Sequence, residues 1–84
     1  MLYEVRFTKE AKKDIAKLTP KLKQKLKTIL QDTISINPYV GKKLVGDLAG
    51  FYSVRLSYQD RIVYTIDDEQ HLIYIHRAKT HYRE

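Results

Sequence analysis

The stretch Phe51–Arg77, FYSVRLSYQDRIVYTIDDEQHLIYIHR, decides the fold, because it contains three runs rich in β-branched and aromatic residues. The runs are FYSVRLS, RIVYTI and HLIYIHR. Polar turn residues separate them at positions 58–60 and 67–70. Since connections this short favour antiparallel pairing, the stretch predicts a meander of three strands.

Two amphipathic helices are predicted upstream of this meander. Thr8 is a suitable N-cap for the first helix, KEAKKDIAKL, which is expected to end near Leu18. Thr19 and Pro20 supply the N-cap and first residue of a second helix, and Pro38 stops that helix near residue 36. The apolar stripes that these helices have to bury are Ala11, Ile15 and Leu18, then Leu22, Leu26, Ile29, Leu30 and Ile34.

The remaining segments complete a small sheet. Residues 2–7, LYEVRF, alternate between apolar and charged side chains and predict a first strand. The segment KKLVGDL, before the break at Gly50, predicts a short lead-in strand. The expected fold is therefore an α+β domain of order β-α-α-β-β-β, with the helix hairpin packed on one face of a curled antiparallel sheet. Residues 1–84 are expected to form this single domain.

Composition narrows the possible functions. The 84 residues carry a net charge of +6, which suits a nucleic acid or an acidic protein as partner. Without cysteine there is no disulfide framework and no thiolate metal site, and three glycines leave no room for a glycine-rich nucleotide loop. The charged start of the sequence fits neither a signal peptide nor a membrane span. We expect a cytoplasmic protein that uses no metal, cofactor or membrane.

Period-two alternation assigns the strand residues to two faces of the sheet. In RIVYTI the more apolar set is expected to face the helices, which turns Arg61 outward, and the same logic turns Ser53 and Arg55 outward in FYSVRLS. His76 is interpreted as a packed or edge residue. The side chains expected to face the core are Tyr52, Val54, Leu56, Ile62, Tyr64, Ile66, Ile73 and Ile75.

The uncovered face of the predicted sheet is basic. Arg55 and Arg61 lie on it, and it is bordered by the loop residues Lys42 and Lys43. A second border is the cluster near the end of the sequence, formed by His76, Arg77, Lys79, His81, Tyr82 and Arg83. Such a face can bind RNA, but cations that only keep a sheet face hydrated and limit aggregation explain the pattern equally well.

The run GDLAGFYSVRLSYQDRIVYTID, followed by a strand and HRAKTHYRE, resembles the RelE/YoeB-type toxins of the RelE/ParE superfamily. These are mRNA interferases of type II toxin–antitoxin modules, and the likeness extends over nearly the whole chain. The motifs that carry it are L-x-G followed by an aromatic residue, then R-I-V-Y, then H-Y near the end of the sequence.

The resemblance implies a role for each matching residue. Arg61 matches the arginine that contacts the scissile phosphate, and Arg55 matches a second basic residue beside it. His81 and Tyr82 match the His-Tyr pair of the YoeB branch, which serves in proton transfer and in holding the RNA. Lys42 and Lys43 fall where the RelE branch has functional lysines, and Arg77 and Lys79 are expected to contact RNA. The YoeB branch has a glutamate as proposed general base where this chain has Lys42, so the base is left unassigned. Lys42 or Lys43 could serve only in its uncharged form.

The implied activity is ribosome-dependent cleavage of mRNA by metal-independent attack of a ribose 2′-hydroxyl. In that mechanism His81 acts as general acid or base, Arg61 stabilises the transition state and Tyr82 positions the RNA. The implied partners are a cognate acidic antitoxin and the ribosome with mRNA in its A site. Two alternatives stay open: a ParE-like toxin that inhibits DNA gyrase by binding it, and a non-catalytic RNA-binding module.

Overall fold

The computed structural model describes residues 2–78, which form two helices and a five-stranded sheet. The described elements, in chain order, are β1 (Glu4–Phe7), α1 (Lys9–Ala16), α2 (Pro20–Ile29), β2 (Lys42–Lys43), β3 (Tyr52–Arg55), β4 (Arg61–Asp67) and β5 (Leu72–Arg77). Short 3₁₀ helices at Pro38–Val40 and Gly46–Leu48 flank β2. Within the described residues, no helix is long and apolar enough to cross a membrane.

Both helices begin where the sequence predicts. The Thr8 hydroxyl oxygen accepts a hydrogen bond from the Ala11 N–H at 3.1 Å, and Thr19 caps α2 in the same way with Pro20 in its first turn. Beyond Ile29 the chain continues as a π-helical turn, Leu30–Ile34. The helical path therefore ends close to the predicted residue 36, although its last turn is wider than an α-helix.

The sheet has the strand order β1-β5-β4-β3-β2. Strands β3, β4 and β5 form the predicted antiparallel meander, and β2 is the predicted lead-in strand. Strand β1, however, pairs with β5 in parallel, with Val5 opposite Ile73. The expectation of an all-antiparallel sheet was wrong on this point, because two strands at opposite ends of the sequence have no short connection to dictate their direction.

The core lies between the helices and one face of the sheet. Tyr64, Ile73 and Ile75 are fully buried there, which confirms the predicted inward face of β4 and β5. The helices contribute Ala11, Leu26, Leu30 and Ile34 to the same cluster. Tyr52, Val54 and Ile66 pack against this cluster but are only partly buried. Burial also reaches the opposite face, where Ser53 is only 4 % exposed and Val63 only 5 % exposed.

Candidate nucleic-acid interface

The face of the sheet directed away from the helices collects the predicted site residues on β3 and β4. Tyr52 and Tyr64 are opposite each other and face the core, so the alternating pairs Ser53–Val63 and Arg55–Arg61 face away from it. We call this surface the outer face. It is defined by Lys42, Ser53, Arg55, Arg61, Val63, Thr65 and His76.

Arg55 and Arg61 are direct cross-strand neighbours at the end of the β3–β4 hairpin. Like charges in directly opposite positions destabilise an antiparallel pair. Among residues 2–78, neither guanidinium has an ion pair or a side-chain hydrogen bond. The nearby Asp60 carboxylate instead accepts a hydrogen bond from the Ser57 hydroxyl at 2.9 Å. The hairpin therefore presents two planar donor groups that an anion would bring together.

The β3–β4 turn that carries these arginines is held by hydrogen bonds at both of its ends. The Leu56 N–H donates to the Asp60 carbonyl at 2.8 Å, and the Asp60 N–H donates to the Ser57 hydroxyl at 3.0 Å. This bonding fixes the strand register in which Arg55 and Arg61 are opposite each other.

The two predicted lysines lie on different faces of the sheet. Lys42 is opposite Ser53, so it is on the outer face, whereas Lys43 is opposite Tyr52 and is on the helix side. The expectation that both lysines border one basic face was therefore wrong for Lys43, because adjacent residues of a strand alternate. The role of each lysine in RNA binding stays a prediction.

A close approach of the backbone fixes the segment that leads into Lys42. The buried Tyr64 hydroxyl donates to the Pro38 carbonyl at 2.6 Å, and burial raises the pKa of Tyr64 to about 12. A Cβ atom on Gly41 would collide with that hydroxyl and lie 3.1 Å from the Ser53 carbonyl oxygen. Glycine at position 41 thus allows the backbone just before β2 to pass close to the Tyr64 hydroxyl.

Arg77 is engaged by a carboxylate on α1. Its Nε and Nη2 atoms donate to the two oxygens of the Asp14 carboxylate at 2.7 and 3.2 Å, and the Ala78 N–H donates to the same carboxylate at 3.1 Å. Asp14 is buried, whereas the Arg77 side chain is about half exposed. The Arg77 guanidinium, which the sequence predicts to contact RNA, therefore forms an ion pair on the helix side of the sheet. RNA contact by Arg77 stays a prediction.

The sequence contains a signal for the Asp14–Arg77 pair that our interpretation missed. Asp14 lies three residues after Ala11 and four before Leu18, inside the apolar stripe of the first helix. A carboxylate in the buried stripe of a lysine-rich helix needs a donor from the sheet.

His76, interpreted from the sequence as a packed or edge residue, packs on the outer face. Its Nε2 atom is 3.0 Å from the Thr65 hydroxyl oxygen, and its ring lies edge-on to the Phe51 ring at 5.0 Å between centroids. Burial lowers the pKa of His76 below the ordinary histidine value, so the ring is held neutral. The register between β4 and β5 shifts beside Val63 and Tyr64, at the level of His76.

The predicted site residues Lys79, His81 and Tyr82 lie outside the described residues. Within residues 2–78, the structure therefore brings Lys42, Arg55, Arg61 and His76 to one face.

Residues 5–83 match the family model described as "ParE-like toxin of type II bacterial toxin-antitoxin system". The chain belongs to this family. The match spans the described fold, including the helices, the outer face and the Arg61 strand.

Comparisons with individual proteins agree with the match to this family. The chain is 38 % identical to Toxin RelG of Mycobacterium tuberculosis, covering 99 % of this chain and all of that toxin. In the crystal structure of the toxin–antitoxin complex RelBE2, also from Mycobacterium tuberculosis, a chain 35 % identical superposes with a TM-score of 0.86. That match covers 96 % of this chain and 100 % of the other.

A second complex links the fold to the YoeB branch. In the YoeB–YefM complex from Staphylococcus aureus, a chain 31 % identical superposes with a TM-score of 0.78, over 98 % of this chain and 100 % of the other. The predicted superfamily and fold class are confirmed, and the protein is a RelE/YoeB-type toxin of a type II toxin–antitoxin system.

Proposed function

We propose that this toxin is a ribosome-dependent mRNA endoribonuclease that cleaves without a metal and so inhibits translation. The observation that carries the proposal is the cross-strand pair Arg55–Arg61, whose guanidinium groups have no anionic partner within residues 2–78. Two like charges kept opposite each other cost stability, and a bound phosphate group repays that cost.

The chemistry needs three contributions around one phosphate. A base removes the proton of the ribose 2′-hydroxyl, the 2′-oxygen bonds to phosphorus, and the bond from phosphorus to the 5′-oxygen breaks as an acid protonates that oxygen. The products are a 2′,3′-cyclic phosphate and a free 5′-hydroxyl. Positive charge must also stabilise the pentavalent phosphorane between these steps.

The residues of the outer face supply part of this set. Arg61 donates a planar fork to the scissile phosphate, Arg55 holds a neighbouring phosphate oxygen, and Lys42 adds positive charge at the rim. His81 acts as general acid toward the leaving oxygen, and Tyr82 positions the RNA by stacking or by a hydrogen bond. Lys43, Arg77 and Lys79 are assigned to peripheral RNA contact.

The proposed partners follow from charge and from the relatives. The solved relatives RelBE2 and YoeB–YefM are toxin–antitoxin complexes, and a chain of net charge +6 suits an acidic cognate antitoxin. The second partner is the ribosome with mRNA in its A site, which places the protein in the cytoplasm.

The test supplies the purified toxin to translating ribosomes that carry a reporter mRNA and maps new 5′ ends. Wild type is expected to generate discrete 5′ ends, whereas Arg61→Ala and His81→Gln are expected to generate almost none. Lys12→Ala, which removes an exposed charge from α1, is the matched control and should cleave like wild type.

Two outcomes would contradict the proposal. Cleavage unchanged in Arg61→Ala and His81→Gln would remove the assigned roles. Absence of cleavage by wild type, together with arrest of DNA supercoiling in a gyrase assay, would favour the alternative of a gyrase inhibitor.

A further inference from the structure

The proposed reaction lacks a base among the residues assigned so far. At the loop position where the YoeB branch has a glutamate this chain has Lys42, and an amine accepts a proton only in its uncharged form. Any replacement has to lie on the outer face, within reach of the phosphate that Arg55 and Arg61 hold.

His76 meets the first part of this requirement, because its side chain lies on the outer face. It lies on β5 beside Thr65 of β4, and Thr65, Val63 and Arg61 alternate onto the outer face. The register shift at Val63 and Tyr64 breaks the regular ladder at this level. Bulges of this kind often lie beside active sites, where they redirect a side chain.

We propose that His76 is the general base that removes the proton of the ribose 2′-hydroxyl. The inference rests on the proposed endoribonuclease function and goes beyond it by naming the group that the sequence left unassigned. The proton passes to the imidazole, the 2′-oxygen forms the bond to phosphorus, and the 5′-oxygen leaves with a proton from His81.

The contacts of the ring assign its tautomer and its orientation. When Nε2 carries the hydrogen and donates to the Thr65 hydroxyl at 3.0 Å, Nδ1 keeps the lone pair that accepts the proton. A base oriented by a neighbouring hydroxyl is a common arrangement in proton-transfer sites. The edge-on Phe51 ring limits rotation from the other side and shields the imidazole from water.

The surroundings of His76 favour its neutral form. Burial lowers the pKa of His76, which keeps the lone pair available at neutral pH. On β5, the titratable side chain nearest to His76 on the same face is Tyr74. The Asp14–Arg77 pair lies toward α1. Within residues 2–78, the charged groups that the strands place on the outer face are Arg55, Arg61, Asp67 and Lys42, with the Arg6–Glu4 pair at its β1 edge.

The test measures single-turnover cleavage on ribosomes as a function of pH for wild type, His76→Gln and Thr65→Val. Glutamine keeps a hydrogen-bonding side chain but cannot transfer a proton at these pH values. We expect His76→Gln to cleave at least about 100-fold more slowly, because general bases contribute about 10²–10⁴-fold. Its profile should also lose the fall in rate that wild type shows as the imidazole protonates on the acid side.

The positioning role of Thr65 predicts a smaller and different effect. Thr65→Val is expected to slow cleavage about tenfold and to keep the acid-side fall, because the imidazole is still present but less well oriented. Binding of an RNA with a 2′-deoxy nucleotide at the cleavage site should be within about twofold of wild type for both variants. In His76→Ala, added imidazole is expected to restore part of the cleavage, which a purely structural role of the ring would not allow.

The outcomes separate this inference from the function on which it rests. A wild-type protein that does not cleave contradicts the endoribonuclease proposal itself. A wild-type protein that cleaves, with His76→Gln within about threefold of its rate and of the same pH profile, overturns the role of His76 alone. Equal loss of cleavage and RNA binding in a folded His76→Ala, without rescue by imidazole, also overturns it.

Discussion

Arg77 and the Arg55–Arg61 pair show two ways in which this small sheet uses arginine. Arg77 forms two hydrogen bonds to a buried carboxylate of α1, which also accepts from the Ala78 N–H. Arg55 and Arg61 are opposite each other with no carboxylate partner within residues 2–78. The first arrangement joins a helix to the sheet, whereas the second leaves charge uncompensated until a ligand binds.

The largest expected difference between the two regions is in catalysis. We expect Arg61→Ala to lower the cleavage rate about 10²–10³-fold, the usual loss for one donor that stabilises a transition state. Its melting temperature should be unchanged or slightly higher. Arg77→Ala is expected to lower the melting temperature while each folded molecule keeps most of its cleavage rate.

Cleavage on ribosomes and thermal unfolding of the same preparations check this prediction. If Arg77→Ala lost as much cleavage as Arg61→Ala at a temperature where both are folded, Arg77 would act on the reacting phosphate and not only in peripheral RNA contact. The division between a structural and a ligand-binding arginine would then be wrong.

The second-largest effect is expected on the stability that the Asp14–Arg77 contact gives to the fold. Asp14→Ala removes the carboxylate that, within residues 2–78, accepts two hydrogen bonds from Arg77 and one from the Ala78 N–H. Because hydrogen bonds to charged groups contribute about 1.5–3 kcal/mol and the half-exposed Arg77 side chain stays accessible to water, we expect a loss of about 2 kcal/mol. Urea unfolding measures the loss.

A double-mutant cycle tests whether this loss belongs to the pair. Asp14→Ala combined with Arg77→Ala should cost less than the sum of the single changes. Additive losses would show that Asp14 and Arg77 stabilise the fold independently. Asp32→Ala, at an exposed position of the π-helical turn, is the control and should have little effect.

At the Arg55–Arg61 pair we expect a smaller change in stability, of opposite sign. Arg55→Thr removes one of two opposed cations and introduces a residue that favours strands, so we expect the free energy of unfolding to rise by about 0.2–1 kcal/mol. RNA binding should weaken at the same time. Two measurements on the same variant check this prediction: the free energy of unfolding in the absence of RNA, and the affinity for RNA. A lower free energy of unfolding would contradict the idea that Arg55 and Arg61 repel each other in the folded protein.

The sequence predicts local structure better than it predicts which distant residues contact each other. Threonine caps and alternating apolar residues determine the helix starts and the inward face of β4, because these signals act between residues near in sequence. The parallel pairing of β1 with β5 and the Asp14–Arg77 bond join opposite ends of the chain. The pairing leaves no periodic signal, and the place of Asp14 in the apolar stripe indicates that it needs a donor but not which residue supplies it.

The site divides in the same way. Arg61 was placed on the outer face by alternation alone, whereas the position of His76 beside Thr65 depends on a register shift that the sequence does not reveal. Lys42 and Lys43 are adjacent in sequence, but the sheet separates them onto two faces. Side-chain chemistry could thus be read from the sequence, while the juxtaposition of groups depended on the pairing of strands.

The smallest effect concerns Asp68, an anion of the β4–β5 turn that is stabilised by hydroxyl groups. The Tyr3 hydroxyl donates to its carboxylate at 2.6 Å, and the Tyr39 hydroxyl donates to the other oxygen. These hydrogen bonds lower the pKa of Asp68 and raise the pKa of Tyr39 to about 12.

The directions of the two pKa shifts determine how the folding stability depends on pH. Because the folded pKa of Asp68 lies below its unfolded value of about 3.9, its contribution is complete well above that value and is lost as pH falls through the folded pKa. For Tyr39 the contribution is complete below about pH 10 and is lost as pH rises toward 12. Urea midpoints of wild type and Asp68→Asn should therefore differ by a constant amount from about pH 6 to pH 8 and converge toward pH 2. A difference that stays constant down to pH 2 would show that the tyrosine hydroxyls bind the turn without regard to its charge, unlike the arginine contact of Asp14.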